Sequence, residues 1–137
     1  MSLAIGDLRT DEIEAAVALW EEAGLTRPWN DPRADIALAL GKPNSTVLAG
    51  RLEGALVATA MAGSDGHRGW VYYLGVADPH RGNGFGAAMM RASADWLKAR
   101  GAPKLHVMIR SENAAVMKFY ARLGYENSDT ITMARKL

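Results

Sequence analysis

The run VADPHRGNGFGAAMMRA, residues 76–92, sets glycines at Gly82, Gly84 and Gly86 behind an arginine, Arg81, and ahead of a helix-forming stretch. Glycines let a backbone turn tightly and approach a ligand with no Cβ in the way. The backbone N–H groups of Gly82, Asn83, Gly84, Phe85, Gly86 and Ala87 then lie at the positive end of a helix dipole, an arrangement that receives an anion such as a pyrophosphate. Two other phosphate loops fit poorly. A dinucleotide fingerprint needs G-x-G-x-x-G in an early strand–helix–strand unit, and this loop has the wrong spacing in the second half of the chain. A P-loop ends in Gly-Lys-Ser/Thr, whereas Gly86 is followed by Ala87 and Ala88. A plain glycine-rich turn is the remaining alternative. A second group of chemical interest is the phenol of Tyr120, although Val116, Phe119 and Leu123 would form an apolar stripe that takes it into the core.

The elements that must position these groups alternate along the chain. Leu3 to Leu8 reads as a short strand, and Thr10 as the N-cap of a helix whose stripe is Ile13, Val17, Leu19 and Trp20. The loop TRPWNDP leads to a second short helix with Ile36, Leu38 and Leu40, which stops at Gly41-Lys42-Pro43. STVLAGRL and ALVATAMAG flank Glu53-Gly54 as a hairpin, and WVYYLGV is a third strand. Behind the glycine loop, Phe85, Met89, Ala92, Trp96 and Ala99 define a helical stripe that ends at Arg100-Gly101-Ala102-Pro103. KLHVMI predicts a strand, ENAAVMKFYARLG a helix and TITMARKL a last strand. The expectation is one α/β domain over residues 1–137, with an antiparallel front half.

Composition removes several classes of function. A net charge of +1 leaves no electrostatic footprint for nucleic acid. The absence of cysteine excludes a disulfide framework, a thiolate metal site and a cysteine nucleophile, and no metal is expected. No apolar run reaches the ~18 residues of a membrane span. The start, MSLAIGDLRTDE, is acidic where a signal peptide would be basic, so a cytoplasmic location is expected.

Arg81, Gly84 and Gly86 in the spacing R-x-x-G-x-G, after a strand that closes at Val76, resemble the coenzyme A signature of the GCN5-related N-acetyltransferases (GNAT). The likeness runs through YYLGVADPHRGNGFG and again through RSENAAVMKFYARLGYE. Further segments, TRPWNDP, DGHRG and APKLHV, resemble the small bacterial YpeA-type branch. The resemblance implies a mostly antiparallel mixed sheet, splayed at an acetyl-CoA site and flanked by about four helices. It implies direct attack of an amine on the thioester of acetyl-CoA as co-substrate. Backbone groups of Leu74, Gly75 and Val76 would pair with the pantetheine arm, Gly75 suiting a bulge there. Arg81 would brace the loop or a phosphate, or stand solvated. Asn113 would bond the pantetheine, cap its helix, or do both. Tyr120 would protonate the leaving thiolate as the catalytic acid.

The acceptor side is less determined. The resemblance puts it by TRPWNDP, where Trp29 would supply a wall and Asp31 would attract a cationic amine, with Asn30 beside them. The alternative reading makes Asn30 or Asp31 a helix cap, Pro32 the first turn and Trp29 a staple. Strand alternation sends Tyr72 and Tyr73 to opposite faces, so at most one would line the cleft, and Tyr72 is taken with His67 as an acceptor-side residue. Some relatives carry a glutamate base where Met108 stands, which leaves His67, Asp65, Asp31 and His106 as candidates to take the amine proton. The resemblance implies a small-molecule or peptide amine as the acceptor and allows a homodimer. A non-catalytic coenzyme A sensor, or a transferase of another acyl group, is the alternative.

Overall fold

The computed structural model describes residues 2–137. Five strands lie in sequence order across one sheet: β1 (Ala4–Asp7), β2 (Ser45–Leu52), β3 (Ala55–Ser64), β4 (Gly69–Val76) and β5 (Leu105–Val107). The first four pair antiparallel, and β5 joins β4 in parallel. Glu53 and Gly54 join β2 to β3 with left-handed φ values of 52° and 83°, the geometry of a tight hairpin that follows the strand twist. The helices are α1 (Ile13–Glu22), α2 (Pro32–Ala39), α3 (Phe85–Lys98) and α4 (Ala114–Arg122). Among the described residues, no helix is long and apolar enough to cross a membrane.

Alternation along β2 and β3 gives each face of the sheet its own core. Val47, Ala49 and Met61 point to α1 and α2, where Val17, Leu19, Trp20 and Ile36 cover them. Leu48, Ala58, Ala60 and Ala62 point to α3, where Met89, Met90 and Leu97 lie. The small alanines let α3 come close. At Gly69 even a Cβ would come within 2.7 Å of Leu97 Cδ1.

Three sequence expectations are corrected. The α3 stripe is Phe85, Met89, Ser93 and Leu97 rather than one through Ala92, Trp96 and Ala99. Ser93 enters the core because its hydroxyl donates to the Met89 carbonyl at 2.8 Å, which hides its polarity from a hydropathy pattern. Trp96 stays half-buried, with the Arg100 guanidinium 3.4 Å from the centre of its ring. Thr10 is not the α1 cap. It opens a 3-10 turn, Thr10–Glu12, and the Glu12 carboxylate accepts the Arg9 N–H at 2.9 Å. TITMARKL forms no strand and leaves Ile131 and Met133 each 88% exposed. A period-two pattern specifies a strand only where a neighbouring edge accepts it, and β5, three residues long, offers little edge.

Glu12 also ties the start of α1 to the sheet. Its Oε1 and Oε2 accept from Arg51 Nη2 (2.6 Å) and Nε (2.8 Å) on β2. The Arg51 hydrogen bonds hold the Glu12 pKa down at about 2, against an ordinary 4.5. A depressed carboxylate contributes stability that is complete above pH 4.5 and lost as pH falls towards 2. Glu12→Gln is expected to lower stability at neutral pH by about 2 kcal/mol and to flatten that acid limb. Urea unfolding of both proteins between neutral and acid pH checks it.

Candidate active site

The site begins at an irregularity in β4. Between Thr59 and Met61, β3 has one residue, Ala60, while β4 sets Tyr73 and Leu74 between their partners Gly75 and Tyr72. This is a β-bulge, and Tyr73 absorbs it with a φ of +52°. Side chains hold it there. Thr59 Oγ1 donates to the Tyr73 carbonyl at 2.9 Å, and Trp20 Nε1 donates to Thr59 Oγ1 at 2.8 Å. The Trp20 and Tyr73 rings stack with centroids 3.7 Å apart. The Tyr73 hydroxyl donates to Asp35 Oδ2 on α2 at 2.7 Å. Burial, then that carboxylate, push the Tyr73 pKa well up.

The extra residue cancels the alternation. Tyr72 pairs beside Met61, and Tyr73 packs on Trp20, so both tyrosines face α1 and α2. The expectation that they face opposite ways is therefore overturned. Gly75 does not form the bulge either. It lies just past it, where a Cβ would meet Leu19 at 2.9 Å and Leu25 at 3.0 Å.

The sheet splits just ahead of the bulge. β5 pairs with β4 only at Gly69, Trp70 and Val71, after which β4 runs on to Val76 against β3 alone. The gap is the mouth of a cleft of ≈ 940 Å³. Leu74, Gly75 and Val76 form one wall, Met108 and Ile109 another, and the glycine loop closes the end. Arg27, Arg81, Arg110 and Arg122 line this cleft, and no carboxylate does among the described residues. Sequence reading singled out only Arg81 of these, since the other three come from separate loops and helix ends.

In the loop, Gly82 and Gly84 have φ of 81° and 77°, values that favour glycine. Gly86 serves a different need: a Cβ there would come within 3.2 Å of the Phe119 ring on α4. The first bond of α3 is Ala88 N–H to the Gly84 carbonyl at 3.0 Å, so the N–H groups of Phe85, Gly86 and Ala87 have no acceptor inside the helix. Arg81 Nε donates to the Val76 carbonyl at 3.3 Å, which braces the loop on the strand end. The Asn83 side chain donates to the His80 carbonyl at 3.1 Å and is turned into the loop.

From α4, Asn113 and Tyr120 reach the same cleft. The Asn113 Oδ1 accepts the Val116 N–H at 3.2 Å as the helix cap, which leaves its amide N–H₂ unused by that bond. Tyr120 is 6% exposed and edge-on to Phe119 and Tyr125. Its hydroxyl meets Met90 Sδ at 4.0 Å, a weak partner. Burial, and then Tyr125, push its pKa up to about 12, so the phenol keeps its proton at neutral pH. Tyr120 is both a core residue and a cleft residue, two readings that sequence periodicity treats as exclusive.

The acceptor-side residues separate. Asn30 and Tyr72 line the cleft. Trp29 is 64% exposed, with the Arg110 guanidinium 5.4 Å from its ring centre. Asp31 is occupied as the α2 cap, Oδ1 accepting the N–H of Arg33 (3.1 Å) and of Ala34 (3.2 Å). His67 and Asp65 lie in the β3–β4 turn, where Asp65 accepts the backbone N–H of His67 and Arg68. His106 stacks on Trp70 with its Nδ1 buried and without a hydrogen-bond partner among the described residues. None of these four candidate bases lines the cleft, whereas Met108 does. A carboxylate that sequence reading passed over, Asp35, lines a smaller cavity next to the cleft rather than the cleft itself. It stands one helical turn after the Asp31 cap, a spacing that does mark it as sharing that side of α2. No group of three or more His, Cys, Asp or Glu among the described residues could hold a metal ion.

The model of the Acetyltransferase (GNAT) family matches residues 8–125. The chain belongs to this family. An acetyltransferase of Yersinia enterocolitica is 44% identical over 126 residues, covering 92% of this chain and 89% of the relative. One from Pectobacterium atrosepticum is 43% identical over 129 residues, 94% and 92% of the two chains. The GNAT fold extends to distant structures. AAC(6')-Iy, in complex with the bisubstrate analog CoA-S-monomethyl-acetylneamine, aligns with a TM-score of 0.84 at 16% identity, covering 100% of this chain and 99% of its own. The ribosomal-protein-S18-alanine N-acetyltransferase from Escherichia coli aligns at 0.75 and 24% identity, covering 89% and 76%. The protein is thus an N-acetyltransferase of the GNAT family.

Thr59→Val keeps the shape of the side chain but leaves Trp20 Nε1 and the Tyr73 carbonyl without partners in the core. A loss of about 2 kcal/mol is expected, with Thr59→Ser close to wild type, both measured by urea unfolding. Equal stability of Thr59→Val and wild type would mean that Thr59 does not hold the bulge.

Proposed function

We propose that residues 1–137 form one N-acetyltransferase domain, which binds acetyl-CoA as co-substrate in the basic cleft and passes the acetyl group to the amine of a small molecule or peptide. The observation that carries this reading is the split of β4 from β5 directly above a loop of free helix-end N–H groups. An open strand edge offers backbone donors and acceptors to the amides of a pantetheine arm. The loop and the four cleft arginines offer donors and positive charge to its phosphates. Asn113, with its amide N–H₂ uncommitted, stands where it can bond the arm as well.

The neutral amine attacks the thioester carbonyl carbon, and the carbon–sulfur bond breaks as the new amide bond forms. The electron pair leaves on sulfur. The Tyr120 hydroxyl, protonated at neutral pH and lightly held by Met90, is the group on the cleft wall suited to return a proton to it. The amine proton leaves to water or to His80, the one imidazole that lines the cleft among the described residues, since none of the four candidate bases does.

Calorimetric titration with acetyl-CoA tests the binding half. Gly84→Asp, which puts a side chain and a negative charge in the loop, is expected to abolish binding; unchanged affinity would remove the loop from the site. Tyr120→Phe is expected to lower turnover by about 10²-fold with acetyl-CoA affinity kept, measured as release of free thiol. Equal turnover would return Tyr120 to a packing role alone.

A further inference from the structure

A second, smaller cavity of ≈ 300 Å³ opens beside the cleft, between α2 and the bulge. The two meet at Asn30, Tyr72 and Tyr73, which line both. Their electrostatics are opposite. The cleft is lined by four arginines and no carboxylate, whereas the side cavity has one charged residue among those described, Asp35. Its remaining lining is apolar: Ala39 and Met61, with Leu38 exposed at the rim. Asp35 is half-buried, and the Tyr73 hydroxyl fixes its Oδ2 at 2.7 Å. No hydrogen bond engages Oδ1 among the described residues.

We propose that this side cavity holds a second cationic group of the acceptor, so that the substrate is a compound with two basic groups joined by an apolar stem. The inference rests on the N-acetyltransferase reading above. A carboxylate stabilises the protonated form of an amine beside it. An ammonium has no lone pair, so an amine kept charged at Asp35 is not the one that attacks. The reacting amine is therefore a different group of the same molecule, delivered past Tyr72 and Tyr73 to the bulge. Leu38, Ala39 and Met61 suit methylene groups between the two. The segregation of charge also orders the two substrates, since a polyanion is repelled from Asp35 and a dication from the arginines.

The test compares cadaverine with pentylamine, which has the same stem and a methyl in place of the second amine. Free thiol release from acetyl-CoA is followed with each. Cadaverine is expected to show a kcat/KM at least about tenfold higher. Asp35→Asn should reduce that ratio to near one by raising the KM for cadaverine while kcat is held, and Asp35→Glu should restore part of it. Leu38→Lys, at an exposed position on the cavity rim, should reproduce the loss by placing a competing cation there without disturbing the core. A ratio near one in the wild type, no release with either amine, or an equal fall for both amines in Asp35→Asn would each overturn the proposal. Acetyl-CoA calorimetry runs beside every variant. A wild type that binds acetyl-CoA but does not prefer cadaverine refutes only this inference, whereas one that fails to bind acetyl-CoA refutes the transferase reading itself.

Discussion

The hydroxyl of Thr59 is the point on which the site turns. It accepts from Trp20 Nε1 and donates to the Tyr73 carbonyl, so one buried group ties α1, β3 and the bulge of β4 together. A tyrosine at positive φ is strained, and it persists because the indole stack, the hydroxyl bridge and the bond to Asp35 all act on the same residue. From that one distortion follow the shared direction of Tyr72 and Tyr73 and the register that sets Gly75 against Leu19 and Leu25, while β5 has already left β4 at Val71. Buried polar bridges of this kind are sensitive to the loss of a single partner, because the desolvated group left behind has no water to turn to.

Charge is distributed in agreement with that geometry. The arginines around the cleft come from the end of α1, the glycine loop, the segment after β5 and the end of α4, and only the fold brings them together. The acidic side belongs to α2, but its two aspartates have different tasks: Asp31 holds the helix end, and Asp35 faces the cavity. Most other charges, such as the exposed Arg33–Glu14 pair at 2.6 Å, are surface contacts of small energetic weight.

Much of this was legible in the residues themselves. The Glu53-Gly54 hairpin, the helix ending at Gly101, the glycine loop and the Asn113–Tyr120 pair each have a local signature that the structure places at the expected element. What escaped depends on contacts between distant segments. Alternation cannot count an inserted residue, so it put Tyr72 and Tyr73 on opposite faces, whereas both line the cleft. A hydropathy stripe cannot foresee Ser93 bonding its own helix, which turned the α3 face. The pattern of TITMARKL speaks for a strand, but a strand needs an edge to join. Asp31 read equally as an acceptor residue or as the α2 cap, and it is the cap; Asp35 one turn further was the carboxylate passed over.

The cleft has two unequal walls. The β4 side is stitched to β3 along most of its length and backed by helices on both faces, whereas the opposite side continues from a strand of three residues towards α4, which meets α3 where Phe119 packs on Gly86. Any force that widens the gap is therefore met mainly by the second wall. A bulkier acyl chain or a thicker arm would displace Met108, Ile109 and the start of α4 long before it moved the bulge. If the thioester binds there as proposed, the stiff side would set the geometry of the carbonyl under attack and the compliant one the tolerance for what is attached to it.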